Sequence, residues 1–251
     1  MLLNKNYLSA IGMTTFEKQL LDEAITPYKQ AGKFAENFAR GKLGGDPVFK
    51  EVLQRGLIPA DSHVVDIGCG QGLLSAWLLA AERMALTSQW PENWAATPSG
   101  VSVHGIELMP ADVMRAKKAL SAHQDRLTFE TGDMCTTAFG KAQTAVILDV
   151  LHYVPYAAQE DVLLRVRDAL LPAGLLILRI GDADGGLGFK VSNWVDNVVT
   201  LVRGHSLSRL YCRPLSEWIS LLNKLGFRVE SKSMSQGTPF ANVMLLAYLN
   251  K

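Results

Sequence analysis

Residues 64–72 read VVDIGCGQG: an apolar run, Asp66, and then Gly68, Gly70 and Gly72 at alternate positions. An apolar run that ends in three closely spaced glycines predicts a strand entering a turn whose backbone must approach something other than its own side chains. The next stretch, LLSAWLLAAERMAL, consists mostly of good helix formers. Strand, glycine turn and helix in that order place backbone N–H groups and a helix N-terminus at the carboxyl edge of a sheet, where open α/β folds receive their ligands.

Outward from that turn the pattern repeats. The Trp- and Pro-rich stretch TSQWPENWAATPSG predicts a loop, VSVHGIEL a second strand, PADVMRAKKALSAH a helix opened by Pro110, and RLTFETGDM a third strand. TAVILDVL, PAGLLILRIGD and the helical stretches YAAQEDVLLRVRDALL, SNWVDNVVTLVRG and PLSEWISLLNKLG continue the alternation. Apolar strands alternating with amphipathic helices predict a parallel sheet covered on both faces. FRVESKSMS and ANVMLLAYL are separated only by QGTPF, too short for a crossover helix, so these two strands must run antiparallel. The segment from Phe16 to Arg55 is helix-like but broken by Pro27, Gly32, Gly41, Gly44, Gly45 and Pro47, which predicts an N-terminal helical cap over residues 1–55 ahead of a main domain over 56–251.

Composition narrows the function classes. Lys and Arg number 25 against 24 Asp and Glu, a net charge of +1 that offers no electrostatic reason to expect nucleic acid as a partner. The three cysteines, Cys69, Cys135 and Cys212, are far apart and form no C-x-x-C pair, which fits a reducing compartment and small buried hydrophobes better than disulfides or a zinc site. The first 25 residues carry Lys5, Glu17 and Lys18 and lack a signal-peptide core, and the uncharged tail is too polar to span a bilayer. The expectation is a cytoplasmic protein with no metal and no membrane span.

Two ligand classes use a glycine turn at this place. A dinucleotide site favours G-x-G-x-x-G with an acid about 20 residues further on. Here the spacing is G-x-G-x-G and the second-strand acid, Glu107, lies 35 residues beyond Gly72. Asp66, just before the turn, would set negative charge beside a pyrophosphate and suits a cationic, amino-acid-like ligand better. Taken together, VVDIGCGQG, GIEL, TGDM and LDVLHYV stand in the order and at the strand ends of class I S-adenosylmethionine-dependent methyltransferases, which the chain resembles from about Ser62 to Lys251.

That resemblance implies a Rossmann-like three-layer α/β/α sandwich with a seven-stranded, mostly parallel sheet of order 3-2-1-4-5-7-6 and an antiparallel strand 7. It implies S-adenosylmethionine as cofactor and S-adenosylhomocysteine as product. It puts the turn residues Gly68, Cys69, Gly70 and Gly72 against the methionine part, with Asp66 below them. It gives Glu107, followed by Leu108, to the ribose hydroxyls, Asp133 and Met134 to the adenine, and Asp149 to the cofactor's side of strand 4. A carboxylate is a natural acceptor for a diol and for an exocyclic amine. Segments such as YKQAGKFAENFARGKLGGDPVF often fold over the cofactor in this class, which brings Tyr28, Arg40 or Lys42 toward its carboxylate. Singly, each of these acids also reads as a solvated carboxylate or a turn cap, and the cap aromatics as core packing.

For the acceptor, LDVLHYV places His152 and Tyr153 at a strand end, and a histidine there is either a base for a hydroxyl or an idle packing residue. Arg179, Asp182 and Asp184 read either as substrate recognition or as loop solvation, with the place of Arg179 after LLIL favouring the first and the aspartates the second; Arg203, His205, Arg209, Tyr211 and Arg213 form either an acid-gripping cluster or a charged face. The combination of FARGKLGGDPVF, LDVLHYV, RIGDADGG and MSQGTPFANVMLLA is similar to methyltransferases encoded beside bacterial aryl polyene and xanthomonadin-type pigment pathways. That similarity implies a small hydroxyaryl substrate, free or carried as a thioester, methylated on oxygen or ring carbon. The competing classes are an NAD(P)-dependent oxidoreductase and a non-catalytic cofactor-binding subunit.

Overall fold

A computed structural model describes residues 12–87, 90–183, 210–234 and 242–250. The helix expected over 192–204, the link 236–240 and the candidate residues Asp184, Arg203, His205 and Arg209 lie outside the described residues. In chain order the elements are α1 (Thr15–Ile25), a 3-10 helix (Thr26–Ala31), α2 (Lys33–Gly45), α3 (Pro47–Gln54), β1 (His63–Ile67), α4 (Leu73–Thr87), β2 (Ser102–Glu107), α5 (Pro110–Ala119) and β3 (Leu127–Thr131). They continue with β4 (Ala142–Leu148), a short 3-10 helix (Leu151–Tyr153), α6 (Tyr156–Ala169), β5 (Leu170–Gly181), α7 (Leu215–Lys224), β6 (Phe227–Ser233) and β7 (Asn242–Leu249).

The strands form one seven-stranded sheet of order β3-β2-β1-β4-β5-β7-β6, the expected order. Strand pairs β1/β4, β2/β3 and β4/β5 are parallel, and β7 runs antiparallel to both β5 and β6. The burial of each strand explains its place. Central strands β1 and β4 are almost continuously buried, as strands covered on both faces must be. At the edges, β3 alternates and β6 carries exposed Arg228 and Lys232 with half-buried Glu230 between them, charges that discourage pairing with another chain.

By backbone contacts the chain divides into two compact units, Met1–Ser62 with Cys69–Thr131, and His63–Gly68 with Gly132–Lys251. In the first, α1 starts from a capping box in which Thr14 and Glu17 each satisfy the other's backbone N–H. Its Leu20, Leu21, Ala24 and Ile25 are buried, and α4 is buried almost all round. The indole N–H of Trp77 in α4 donates to Phe49 O in α3 at 2.8 Å.

Two local expectations shift. Gly41, Gly44 and Gly45 do not break the chain: α2 runs through them, because its buried stripe of Ala35, Ala39 and Leu43 outweighs their weak propensity. The loop after α4 is also more than a solvated connection. Trp90 and Trp94 pack edge-on against Phe16 of α1 and against each other, each pair with centroids 5.5 Å apart.

Candidate functional site

The glycine turn is built by three positive-φ glycines, Gly68, Gly70 and Gly72, at 77°, 54° and 72°, of which Gly70 and Gly72 belong to the first unit. They serve different ends. A Cβ on Gly72 would meet the Phe129 ring at 2.9 Å, whereas around Gly70 it would meet nothing within 4 Å. Gly72 is therefore glycine for packing, and Gly70 leaves open space beside a bare backbone. Within this turn Cys69 N donates to Ile106 O in β2 at 3.1 Å and Gly72 N to Cys69 O at 2.9 Å.

Glu107, the last residue of β2, comes to that turn. Its Oε2 accepts from Gly70 N at 2.9 Å and its Oε1 from Met109 N, also at 2.9 Å. Leu108 beside it is 60% exposed. Behind the turn, the hydroxyl of fully buried Tyr28 donates to Gln71 O at 2.8 Å. Gln71 Nε2 donates to Asp112 Oδ1 at 3.1 Å, and Arg115 bonds the same oxygen at 2.7 Å. Arg40 lies elsewhere on the helical segment, paired with Asp22 at 3.0 Å, and Lys42 pairs with Asp46 at 2.9 Å.

In the second unit Asp66 is buried within β1, opposite Val146 of β4. A Cβ on Gly68 would stand 2.7 Å from both Val150 methyls, so the residue after Asp149 packs on that glycine. Asp149 has φ of 59°, a left-handed conformation that aspartate tolerates. Its carboxylate accepts two bonds from Arg179, one from Nε at 2.7 Å and one from Nη2. Arg179 is 2% exposed, so its guanidinium serves Asp149 within the fold. His152 is buried, and its ring lies 4.3 Å from that of Tyr153.

Asp133 is exposed and forms a turn: Oδ1 accepts from Cys135 N at 2.8 Å, while its backbone oxygen accepts from Thr136 N and Thr137 N. Burial, with the Asp133 carboxylate next, pushes the Cys135 thiol above its ordinary value, so it stays protonated. Arg165 fixes the Met134 carbonyl at 2.7 Å. Asp182, read as loop solvation, accepts the first N–H of α7 from Leu215 at 3.1 Å.

Sequence reasoning missed the side chains that hold these elements. Gln159, fully buried, donates through Nε2 to Val154 O and Tyr211 O at 3.1 and 2.7 Å and accepts from Arg213 Nε at 3.0 Å. Tyr211 N donates to His152 O at 2.9 Å, and Tyr156 donates its hydroxyl to Cys212 O at 3.1 Å. Residues 211–213 are thereby laced to the corner that carries His152. A signal existed: Gln159 sits on the buried stripe of α6 with Val162, Leu163 and Val166, and Asp112 on that of α5 with Val113 and Ala116. A polar residue on an apolar stripe marks a buried bond.

These groups fit a nucleoside ligand with a diol. Each oxygen of Glu107 carries one backbone N–H bond, and a carboxylate has acceptor sites for more. The open space at Gly70 adjoins that acid, where a polyphosphate would meet negative charge. Among the described residues no cluster of His, Cys, Asp and Glu is arranged to hold a metal, and no helix is long and apolar enough to cross a membrane.

Residues 65–176 match the family model of a methyltransferase domain. Among solved structures, the chain is similar to an O-methyltransferase family protein from Burkholderia thailandensis, at 17% identity and TM-score 0.60 over 87% of this chain and 59% of that one. Human N-acetylserotonin methyltransferase, solved with S-adenosylmethionine, matches at 17% identity and TM-score 0.60 over 98% of this chain and 62% of its own. Magnesium protoporphyrin IX methyltransferase from Synechocystis PCC 6803, with bound S-adenosylhomocysteine, matches at 21% identity and TM-score 0.58, over 93% and 98%. The chain thus spans about three-fifths of the first two and nearly all of the third. At such identities the likeness is one of fold, and the sheet order with its antiparallel β7 is the methyltransferase α/β fold. No curated protein matches the chain.

Proposed function

We propose that this chain is a class I S-adenosylmethionine-dependent methyltransferase acting on a small-molecule acceptor, with a hydroxyaryl group, free or carried as a thioester, as the group methylated. The observation that supports it is the meeting of Glu107 with the Gly70 amide: a carboxylate, a natural acceptor for a ribose diol, stands at a turn whose α-carbon faces open space. The methyltransferase-domain match over 65–176 supports the same cofactor.

When bound, the cofactor supplies an electrophilic methyl group on its sulfonium. Glu107 accepts the ribose hydroxyls, Asp133 and Met134 take the adenine with Leu108 nearby in sequence to Glu107, and the turn from Gly68 to Gly72 lies along the methionine part. Asp66 is assigned beneath the methionine part, and Asp149, held by Arg179, to the cofactor's side of β4. Arg40 is assigned to the cofactor carboxylate, which requires it to exchange its surface pair with Asp22; such exposed pairs hold weakly.

A hydroxyl acceptor needs its proton removed, and His152 takes it at a ring nitrogen, with Tyr153 packed on the imidazole. Arg179 acts through Asp149, fixing the strand end ahead of His152. O-methylation and ring methylation beside a hydroxyl share the same phenolate, so one base serves both. The remaining work is alignment and exclusion of water.

Calorimetric titration with S-adenosylhomocysteine and, separately, NADH tests the cofactor. The homocysteine nucleoside is expected to bind, and Glu107→Ala to weaken it at least tenfold; NADH binding instead would overturn the assignment. With a hydroxyaryl acceptor in hand, His152→Ala is expected to lower kcat about 100-fold with S-adenosylhomocysteine affinity unchanged. Equal turnover would remove His152 from the chemistry.

A further inference from the structure

We infer that Tyr28, Gln71 and Asp112 form a buried tie that holds the glycine turn in its ligand-receiving shape, so that the N-terminal helical segment sets cofactor affinity. The inference rests on the cofactor assignment above. It makes Tyr28 a positioning residue that acts through Gln71.

Gln71 stands between Gly70 and Gly72, the residues with the least intrinsic restraint on φ in the turn. Left to itself, that stretch would sample many conformations, and only one presents its backbone beside Glu107. Two bonds remove the freedom. On the main chain, Tyr28 OH donates to Gln71 O at 2.8 Å across 43 residues of sequence, with both residues buried. On the side chain, Gln71 Nε2 donates to Asp112 Oδ1, which Arg115 holds from the same helix. Arg115 in turn lies over the Phe34 ring at 4.7 Å, and Gln30 Nε2 donates to Ala119 O at 2.9 Å. The 3-10 helix that carries Tyr28 is thus fastened to α5 as well as to the turn.

Gln71 is 1% exposed, and its Oε1 makes no hydrogen bond among the described residues. A buried amide with an unmet acceptor costs stability that an apolar side chain of similar size would not. That cost points to a task for the residue, and fixing the turn is the task its bonds perform. Affinity for a ligand that needs one conformation falls with the fraction of molecules in it. By reciprocity, a ligand that favours the tied turn must stabilise the tie and the helices behind it.

The test compares Tyr28→Phe, Asp112→Ala and Leu20→Ala with the wild type by S-adenosylhomocysteine calorimetry and thermal unfolding. Leu20 is a fully buried residue of α1 outside the tie, so its truncation loosens the helical segment without touching the turn. Tyr28→Phe keeps the ring and is expected to weaken binding about tenfold, and Asp112→Ala about threefold. Leu20→Ala is expected to lower the unfolding temperature by more than Tyr28→Phe while weakening binding by less. Hydrogen exchange supplies a second readout: the ligand is expected to slow exchange across Thr15–Gly45 in the wild type and not in Tyr28→Phe. Wild-type affinity in Tyr28→Phe, or equal loss in Leu20→Ala, would overturn the tie. Absence of binding in the wild type itself would instead overturn the cofactor assignment beneath it.

Discussion

Around the glycine turn most bonds join a side chain to the backbone: Tyr28 donates to the Gln71 carbonyl, and Glu107 accepts from the amides of Gly70 and Met109, while Gln71 and Arg115 meet on the Asp112 carboxylate. At the ends of β4 and β5 they run between side chains, with Arg179 gripping Asp149 through two nitrogens and Arg213 reaching Gln159 and Glu160. The two arrangements hold different things. A bond between a side chain and a backbone atom fixes the direction of a peptide. A buried charge pair fixes the direction of side chains, and it is expensive to break because the surviving charge stays inside. In the proposed enzyme, the first region offers its backbone to a ligand and the second aims side chains at an acceptor.

The sharpest way to break this comparison is Asp149→Asn. Asparagine tolerates the left-handed backbone at that position, so the variant removes the charge with little added strain. Arg179 keeps its own charge with its side chain 1% exposed. The expected loss is about 3 kcal/mol of stability in urea unfolding, with part of it recovered when Arg179→Met is added. A loss below about 0.5 kcal/mol, the size of a surface pair, would mean that the charges of the second region do not hold it.

The glycines sharpen the comparison at a smaller scale. Gly68→Ala and Gly72→Ala each combine a positive φ with a contact under 3.0 Å, to Val150 and Phe129 respectively, and are expected to cost about 2 kcal/mol. Gly70→Ala meets nothing, so it is expected to cost about 1 kcal/mol from backbone strain alone. It should nevertheless weaken S-adenosylhomocysteine more than Gly72→Ala does, because its new methyl group stands where the proposed ligand lies. Denaturation and calorimetry on the three variants would separate packing glycines from the ligand-facing one.

The strands and the antiparallel return of β7 were legible from period and length, and their order was implied by the resemblance to class I methyltransferases. Apolar runs bounded by turn residues marked the strands, and the short link before β7 forced an antiparallel return. Glu107 was legible as the acid that closes the second strand, and its bonds to the Gly70 and Met109 amides bring it to the glycine turn. What could not be read was which polar residues are tied to which. Gln71, Gln159 and Arg213 make bonds across 41 to 54 residues of sequence, and no local pattern records such a partner. Gly41 and Gly44 misled for the opposite reason: local propensity argued for a break, and the buried face of α2 overrode it.

The smallest effect concerns a charged group of the first unit, where partial exposure makes the contrast with Arg179 direct. Arg126 pairs with Glu82 at 2.9 Å near His123, all partly exposed. Hydrogen bonding from Arg126 holds Glu82 below its ordinary 4.5, so that contribution is present above about pH 4.5 and is lost as pH falls through the lowered folded value. Burial, then the charges of Arg83 and Arg126, hold His123 below its ordinary 6.5. Between the folded value and 6.5 the unfolded chain binds a proton that the folded chain refuses, so stability rises with pH there. Cooling of the unfolding midpoint is therefore expected on going from pH 7.5 toward 5.5, worth a fraction of a kcal/mol after solvent screening, and His123→Gln should flatten that slope. An undiminished slope in the variant would move the titration to another group and leave the bonds of Tyr28 and Glu107 to the backbone as the better account of the first unit's hold on the turn.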